Sequence, residues 1–200
     1  MNAVLLSERR SQLRQAALAQ RSSLSGSDTY LWSQQVQTRA LALECYRSSQ
    51  AVALYSPIQN EVDTGRLLDH ALASGKKVFL PRWSEQKFGF ARIASRSELA
   101  AGRHGILEPI GEVGLSDADR GNLVAFVPGV VFDSRGRRLG RGGGGYDWLL
   151  GQFSGGEFAV GLAYDFQVVE DVPIQSWDRN MQYVVTENRT IDCLTGSTGN

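Results

Sequence analysis

Short apolar runs alternate along this chain with longer stretches whose apolar residues recur at helical spacing. Ala51-Val-Ala-Leu-Tyr55 reads as a buried strand stopped by Pro57. A loop carrying Asn60 and Glu61 follows, and Asp63 or Thr64 opens a helix with Leu67, Leu68, Ala71 and Leu72 inward. Gly75 is placed to end that helix as a left-handed residue. Val78-Phe-Leu80 is the next strand, closed by Pro81, which completes a βαβ unit of about 30 residues. Leu123–Val127, Phe158–Ala163 and Tyr183–Val185 are further apolar runs. Phe88–Ile93 alternates weakly and reads as an outer strand, Ser97-Glu98-Leu99 as a turn or short helix, and Gly105–Pro109 as a loop.

Two helices precede the first strand. Ser7 to Leu24 carries Leu13, Ala16, Ala17 and Leu24 near helical spacing, with Arg10 and Arg14 on one face. A serine-rich break containing Gly26 leads to a second helix, capped by Ser27 or Asp28 and running to about Arg47. Leu31, Val36, Ala40 and Leu43 would be its buried stripe. Apolar strands alternating with helices predict an α/β fold with a mostly parallel central sheet covered on both faces. The expected organisation is one domain over residues 1–194, with a polar tail, Thr195 to Asn200, that frays.

Composition narrows the classes. Hydrophobic residues make up 42% and charged residues 21%, which excludes disorder for the chain as a whole. Cys45 and Cys193 form neither a CxxC pair nor a disulfide framework, so a reducing compartment and no zinc site are expected. No apolar stretch has transmembrane length, and Met1–Leu6 lacks the basic start of a signal peptide; the expectation is a cytoplasmic protein with no membrane partner. The net charge is zero, so a global nucleic-acid surface is not indicated. His70 and His104 read as ordinary residues.

The basic residues are unevenly used. Of 21, three are lysines (Lys76, Lys77 and Lys87) and the rest are arginines, four of which fall at Arg135, Arg137, Arg138 and Arg141. Three of these four sit in the sharpest local feature, Gly136 to Gly145, where six of ten residues are glycine and Tyr146-Asp147 follow at a helix start. Glycine lets backbone N–H groups approach an anion, a helix start adds partial positive charge, and Arg138 and Arg141 supply guanidinium forks. Gly140, Gly142 and Gly145 also match GxGxxG, with Asp165 twenty residues later. The preceding apolar strand ends more than ten residues upstream, so the tight strand-to-helix turn of a dinucleotide site is missing. A single Arg141-Gly142-Gly143 is weak support for RNA binding.

Six segments, in order, resemble the 5-formyltetrahydrofolate cyclo-ligase family. They are Arg10-x-x-x-Arg14, the loop Tyr55 to Thr64 with Glu61, Leu80-Pro81-Arg82, Gly105-Ile-Leu-Glu108-Pro109, Val127 to Asp133 followed by Arg138-Leu139-Gly140-Arg141-Gly142, and Asp178 with Thr186-Glu187. The resemblance implies a three-layer α/β/α fold, probed below, and a monomer. It also implies ATP-dependent closure of 5-formyltetrahydrofolate to 5,10-methenyltetrahydrofolate with Mg2+, releasing ADP and phosphate. Transfer of a phosphoryl group to the formyl oxygen turns a poor leaving group into a good one, and a neighbouring folate nitrogen then attacks. That chemistry needs positioning and charge neutralisation more than a covalent residue.

Carried onto this chain, the resemblance gives ATP to Arg10, Arg14 and the stretch Arg138, Leu139, Gly140, Arg141, Gly142, Gly143, Gly144, Gly145 and Tyr146. Glu61, Tyr55, Trp83 and Arg141 would bind the folate, with or without a polyglutamate tail, with Arg141 and Tyr146 nearest the chemistry. Asp147 and Asp178 would hold magnesium. Bland readings stand beside these. Glu61 also suits a helix-entry charge, Asp147 a first-turn carboxylate, Asp178 a solvated loop acid and Trp83 a core residue. The family usually has tyrosine where Gly145 stands, lysine at Arg10 and often histidine at Trp177. A non-catalytic folate or nucleotide binder is the rival reading.

Overall fold

The computed structural model describes residues 3–84, 88–102, 105–153 and 155–199; His104 and Lys87 lie outside them. The chain opens with helix α1, Ala3–Ser22, and helix α2, Gly26–Ala42. Ser25 caps α2 by accepting the Asp28 N–H, so the cap falls two residues before the expected Ser27. The expected continuation to Arg47 is broken at Leu43, which is extended, and a separate turn α3, Glu44–Ser48, follows. The break turns Tyr46 into the core, where its ring packs 5.8 Å from Phe126 and its hydroxyl meets His70 Nδ1 at 2.8 Å.

Strand β1, Ala51–Ala53, leads through helix α4, Gly65–Ala73, to strand β2, Lys77–Trp83, confirming the βαβ unit. Two expectations about this unit change. Thr64 precedes α4 but its hydroxyl donates to the Tyr55 carbonyl; Gln37 of α2 instead accepts the orphan Arg66 and Leu67 N–H groups. The buried face of α2 accordingly includes Ser33 and Gln37, while Leu31 is exposed. Pro81 does not end β2. β1 stops opposite Phe79, so beyond it β2 pairs only with strand β3, Phe88–Ile93, and a residue without an N–H is tolerated on a strand with one neighbour.

A small hairpin, β4 (Leu99–Ala101) with β5 (Leu107–Pro109), occupies part of the expected 105–109 loop. A short helix α5, Asp117–Arg120, precedes strand β6, Leu123–Pro128. Then come β7 (Val131–Asp133), β8 (Arg138–Leu139), helix α6 (Gly145–Gly151), β9 (Phe158–Leu162) and β10 (Val168–Val169). The chain finishes with β11 (Tyr183–Val185), β12 (Thr190–Asp192) and β13 (Ser197–Gly199). Within the segment expected to fray, Ser197–Gly199 pairs in register with β12 as an exposed edge strand.

The main sheet runs β13-β12-β11-β9-β6-β1-β2-β3, parallel from β11 to β2 and antiparallel at its edges. Its two faces follow the alternation of the strands. Val52, Leu54, Val78, Leu80, Val124 and Phe126 pack with Val36, Ala40, Leu67 and Ala71 of α2 and α4. Ala51, Ala53, Phe79, Ala125 and Val127 face Leu149 and Leu150 of α6. The result is the three-layer α/β/α arrangement. Helix α1 instead packs Leu13, Ala17 and Leu18 on the small sheet β10-β7-β8. Among the described residues no helix is long and apolar enough to cross a membrane.

Candidate active site

The direction of strand order reverses between β1 and β6. β2 extends the sheet on one side of β1, whereas β6, β9 and β11 extend it on the other. The chain segments leaving the carboxyl ends of β1 and β6 therefore part, and a crevice opens between them. Here it is a cleft of about 570 Å³. Its walls hold every residue singled out above for a site except Leu139. Leu139 is fully buried among Val130, Val131 and Val172, and its carbonyl accepts the Val130 N–H, so it anchors the glycine loop and faces no ligand.

Helix α1 supplies one wall. Arg10 donates through Nη1 to Asp178 Oδ2 at 2.6 Å and to the Pro173 carbonyl at 2.9 Å, and through Nη2 to Asp178 Oδ1 at 3.4 Å. Asp178 is nearly buried and also accepts the Gln175 N–H, so it is no solvated loop acid. One turn on, Arg14 Nε donates to the Gly140 carbonyl at 2.8 Å, tying the helix to the glycine loop. Burial and the neighbouring Arg10 lower the Arg14 pKa, yet a guanidinium stays charged near neutrality.

The loop from Gly140 to Gly144 turns with φ of 105° at Gly142 and 69° at Gly144, values that favour glycine, and delivers α6 into the cleft. Arg138, buried below the loop, donates through Nη2 to Asp147 Oδ1 at 2.8 Å and lies 5.9 Å from the Tyr146 ring centre. Burial, then the nearby Glu61, pushes the Tyr146 phenol upward, so it stays protonated. The GxGxxG reading fails on structure. The loop follows β8 of the small sheet, and Asp165 is bound to Arg189 at 2.8 Å and Thr186 at 3.0 Å outside the cleft.

The opposite wall is more apolar. Tyr55 lines it with its ring, because its hydroxyl donates to the Val62 carbonyl at 2.8 Å inside the protein. Trp83 is half exposed and stacks on Phe88 at 4.4 Å between ring centres, so it is a cleft residue and not a core one. Gly145 is where that wall touches α6: a Cβ there would lie 3.0 Å from the Phe88 ring. Glu61 accepts the Ile58 N–H on Oε2 at 3.1 Å and Arg141 Nε and Nη2 on Oε1 at 3.3 Å. Burial raises its pKa, opposed by Arg21 and then Arg141. Its neighbours Gln59 and Asn60 both adopt positive φ, so the turn that presents Glu61 is strained and specific. Glu61 is thus a buried cleft group and not merely a charge ahead of α4.

Among the residues at or behind the cleft that were not singled out as site residues from the sequence, Arg21, Phe88 and Glu108 matter for its chemistry. Arg21 sits behind Glu61, and its spacing from Arg10 and Arg14, near whole helical turns, was a usable signal. Phe88 reaches the cleft from an edge strand and Glu108 accepts the Trp83 N–H at 3.0 Å; both depend on β3 and β5 meeting β2, which no local pattern announces.

The family model of the 5-formyltetrahydrofolate cyclo-ligase family matches residues 6–187. The 5-formyltetrahydrofolate cyclo-ligase of Haemophilus influenzae is 32% identical over 86% of this chain and 94% of its own length. The Escherichia coli K12 enzyme of that name is 34% identical over 78% and 88%. A solved structure of Aquifex aeolicus 5,10-methenyltetrahydrofolate synthetase superposes with a TM-score of 0.81 at 35% identity, covering 92% of both chains. The matched span runs from α1 past Asp178 and takes in every wall of the cleft, so this chain belongs to the 5-formyltetrahydrofolate cyclo-ligase family.

Proposed function

We propose that this protein uses ATP and Mg2+ to phosphorylate the formyl oxygen of 5-formyltetrahydrofolate and closes it to 5,10-methenyltetrahydrofolate. Family membership supports ligase chemistry on folate in general. The observation that carries the finer reading is one cleft with two chemically different walls. One is a wall of guanidiniums and glycine N–H groups, the other an aromatic wall with a buried carboxylate.

On this reading Glu61, as a carboxylate, accepts hydrogen bonds from the donor-rich pterin, while Tyr55, Trp83 and Phe88 exclude water from its faces. Arg10, Arg14, Arg138 and the loop N–H groups hold the nucleotide phosphates. Arg141 stands between Glu61 and the glycine loop and neutralises charge where the two ligands meet. Tyr146, kept protonated, donates a hydrogen bond there. The formyl oxygen attacks the γ-phosphorus and ADP leaves; the neighbouring folate nitrogen then attacks the formyl carbon, loses its proton, and phosphate leaves.

Among the described residues no three histidine, cysteine or carboxylate groups cluster as a metal cage. That suits a cation that takes one or two carboxylates and draws its other ligands from phosphate and water. Asp147, with one oxygen on Arg138 and a partly open side chain, fits that role. Asp178 has both oxygens engaged by Arg10 and Gln175, so in this arrangement it orients Arg10 instead. Magnesium, when bound, supplies charge neutralisation across the transferring phosphoryl group.

The test is the absorbance of methenyltetrahydrofolate formed by purified protein from 5-formyltetrahydrofolate, ATP and magnesium, each omitted in turn. Product is expected only with all three. Folded protein that binds ATP and folate yet releases no ADP would make it a binding module. The observation favouring that rival is the narrow space at Gly145, where a Cβ would lie 3.0 Å from the Phe88 ring and the family's usual tyrosine is missing.

A further inference from the structure

We propose that Arg21 is a positioning residue, acting from behind the cleft wall to hold the Glu61 carboxylate ionised and aimed at the folate. This rests on Glu61 being the acceptor for the pterin. Arg21 touches no cleft space itself, yet it is among the largest fully buried side chains, and its Nη2 lies 3.7 Å from Glu61 Oε1.

Its bonding is incomplete in a telling way. Nη1 donates to the Gly129 carbonyl at 3.2 Å, but Nε and Nη2 are buried with no hydrogen-bond partner. A neutral side chain could serve Gly129 alone. A buried guanidinium with two unmatched donors is unfavourable unless a nearby anion offsets it, and Glu61 is the anion present. The backbone of Arg21 is tied to the same turn, since Asn60 Nδ2 donates to the Arg21 carbonyl at 3.2 Å. One residue thus grips both the carboxylate and the strained turn that presents it.

The groups facing Glu61 are Arg21 from α1, Arg141 from the glycine loop, and the phenols Tyr55 and Tyr146, which stay neutral. The two cations differ. The Arg141 side chain is 36% exposed on a glycine-rich loop, so it can turn towards a phosphate. The Arg21 side chain is 2% exposed on α1 and cannot. When Arg141 serves the nucleotide, Arg21 remains as the fixed counter-charge of Glu61.

The experiment is a double-mutant cycle of Arg21→Met and Glu61→Gln, with Arg21→Lys as the conservative variant. Arg21→Gln, which keeps a donor for Gly129, replaces Arg21→Met if that variant does not fold. KM and kcat are measured for 5-formyltetrahydrofolate and for ATP, and the Glu61 carboxyl is titrated by carbon NMR without ligand. The expected result is a rise of about tenfold or more in folate KM, an unchanged ATP KM, partial recovery with lysine, and no further loss when Glu61 is already glutamine. The Glu61 carboxyl should also titrate at higher pH in Arg21→Met. An unmoved Glu61 titration, or a penalty that persists in the Glu61→Gln background, would overturn the proposal. If Glu61→Gln leaves folate KM unchanged while the titration moves, the pterin reading of Glu61 fails and the electrostatic coupling stands.

Discussion

The two walls of the cleft handle charge in opposite ways. On the wall proposed for the phosphates, Arg10 meets Asp178 and Arg138 meets Asp147, each cation facing one anion, at 2.6 and 2.8 Å. On the wall proposed for the folate, two guanidiniums, Arg21 and Arg141, converge on the single carboxylate of Glu61 at 3.7 and 3.3 Å. Balanced pairs hold side chains in place and leave an incoming polyphosphate to reorganise them. An excess of cation around a buried carboxylate counters the rise in its pKa that burial causes. The first arrangement suits a ligand that brings its own charge, the second a heterocycle that brings donors.

Breaking the phosphate side should have the largest effect. Asp147→Asn is expected to lower turnover by about a thousandfold while circular dichroism shows the fold retained, because on the proposed reading a magnesium ligand is lost, and Arg138 loses its partner. An active Asp147→Asn protein would remove Asp147 from the mechanism. Glu61→Gln should fall next, lowering kcat/KM for the folate by about a hundredfold with ATP KM unchanged. A matching loss in ATP affinity would show that the two walls are not separable.

Gly145→Tyr is a smaller probe of the seam between the walls. Its Cβ would press on the Phe88 ring, so the Trp83–Phe88 stack must shift, and folate KM should change several-fold with ATP KM constant. Steady-state kinetics with each substrate varied will show whether the effect stays on the folate side.

The most modest effect is the pH dependence of Glu61. Burial raises its pKa above the unfolded value, so its contribution to stability is present at low pH and is lost as pH rises through the folded value. The stability of the parent protein relative to Glu61→Gln should therefore decline upward from the ordinary carboxylate range near ~4.3, while folate KM improves over the same rise. Thermal melts and kinetics across that window check the opposed trends. Parallel trends would mean that Glu61 binds in its protonated form.

Much of this was legible in the sequence because it is local. The apolar runs of β1, β2, β6, β9 and β11 and the helical spacing of α1, α2 and α4 follow from period and propensity. The glycine-arginine segment stood out by composition and spacing, and the carboxylates Glu61 and Asp147 through the family resemblance. Short elements such as β8, β10 and β12 did not, because they carry too short an apolar run of their own to mark a strand and form only through their partners. Leu139 shows the same limit: inside a ligand-binding motif, its strand partner Val131 turns it into the core.

By itself, then, the sequence determined the α/β alternation and the glycine-arginine segment, since each depends on neighbours along the chain, and its ordered motifs carried the family resemblance. Only the tertiary structure decided which charges pair. Arg10 finds Asp178 across 168 positions, Arg141 finds Glu61 across 80, and Arg21 is buried behind that same carboxylate. Ion pairing depends on distance and burial in space, and the reversal of strand order between β1 and β6 is what brings those distant residues to one cleft.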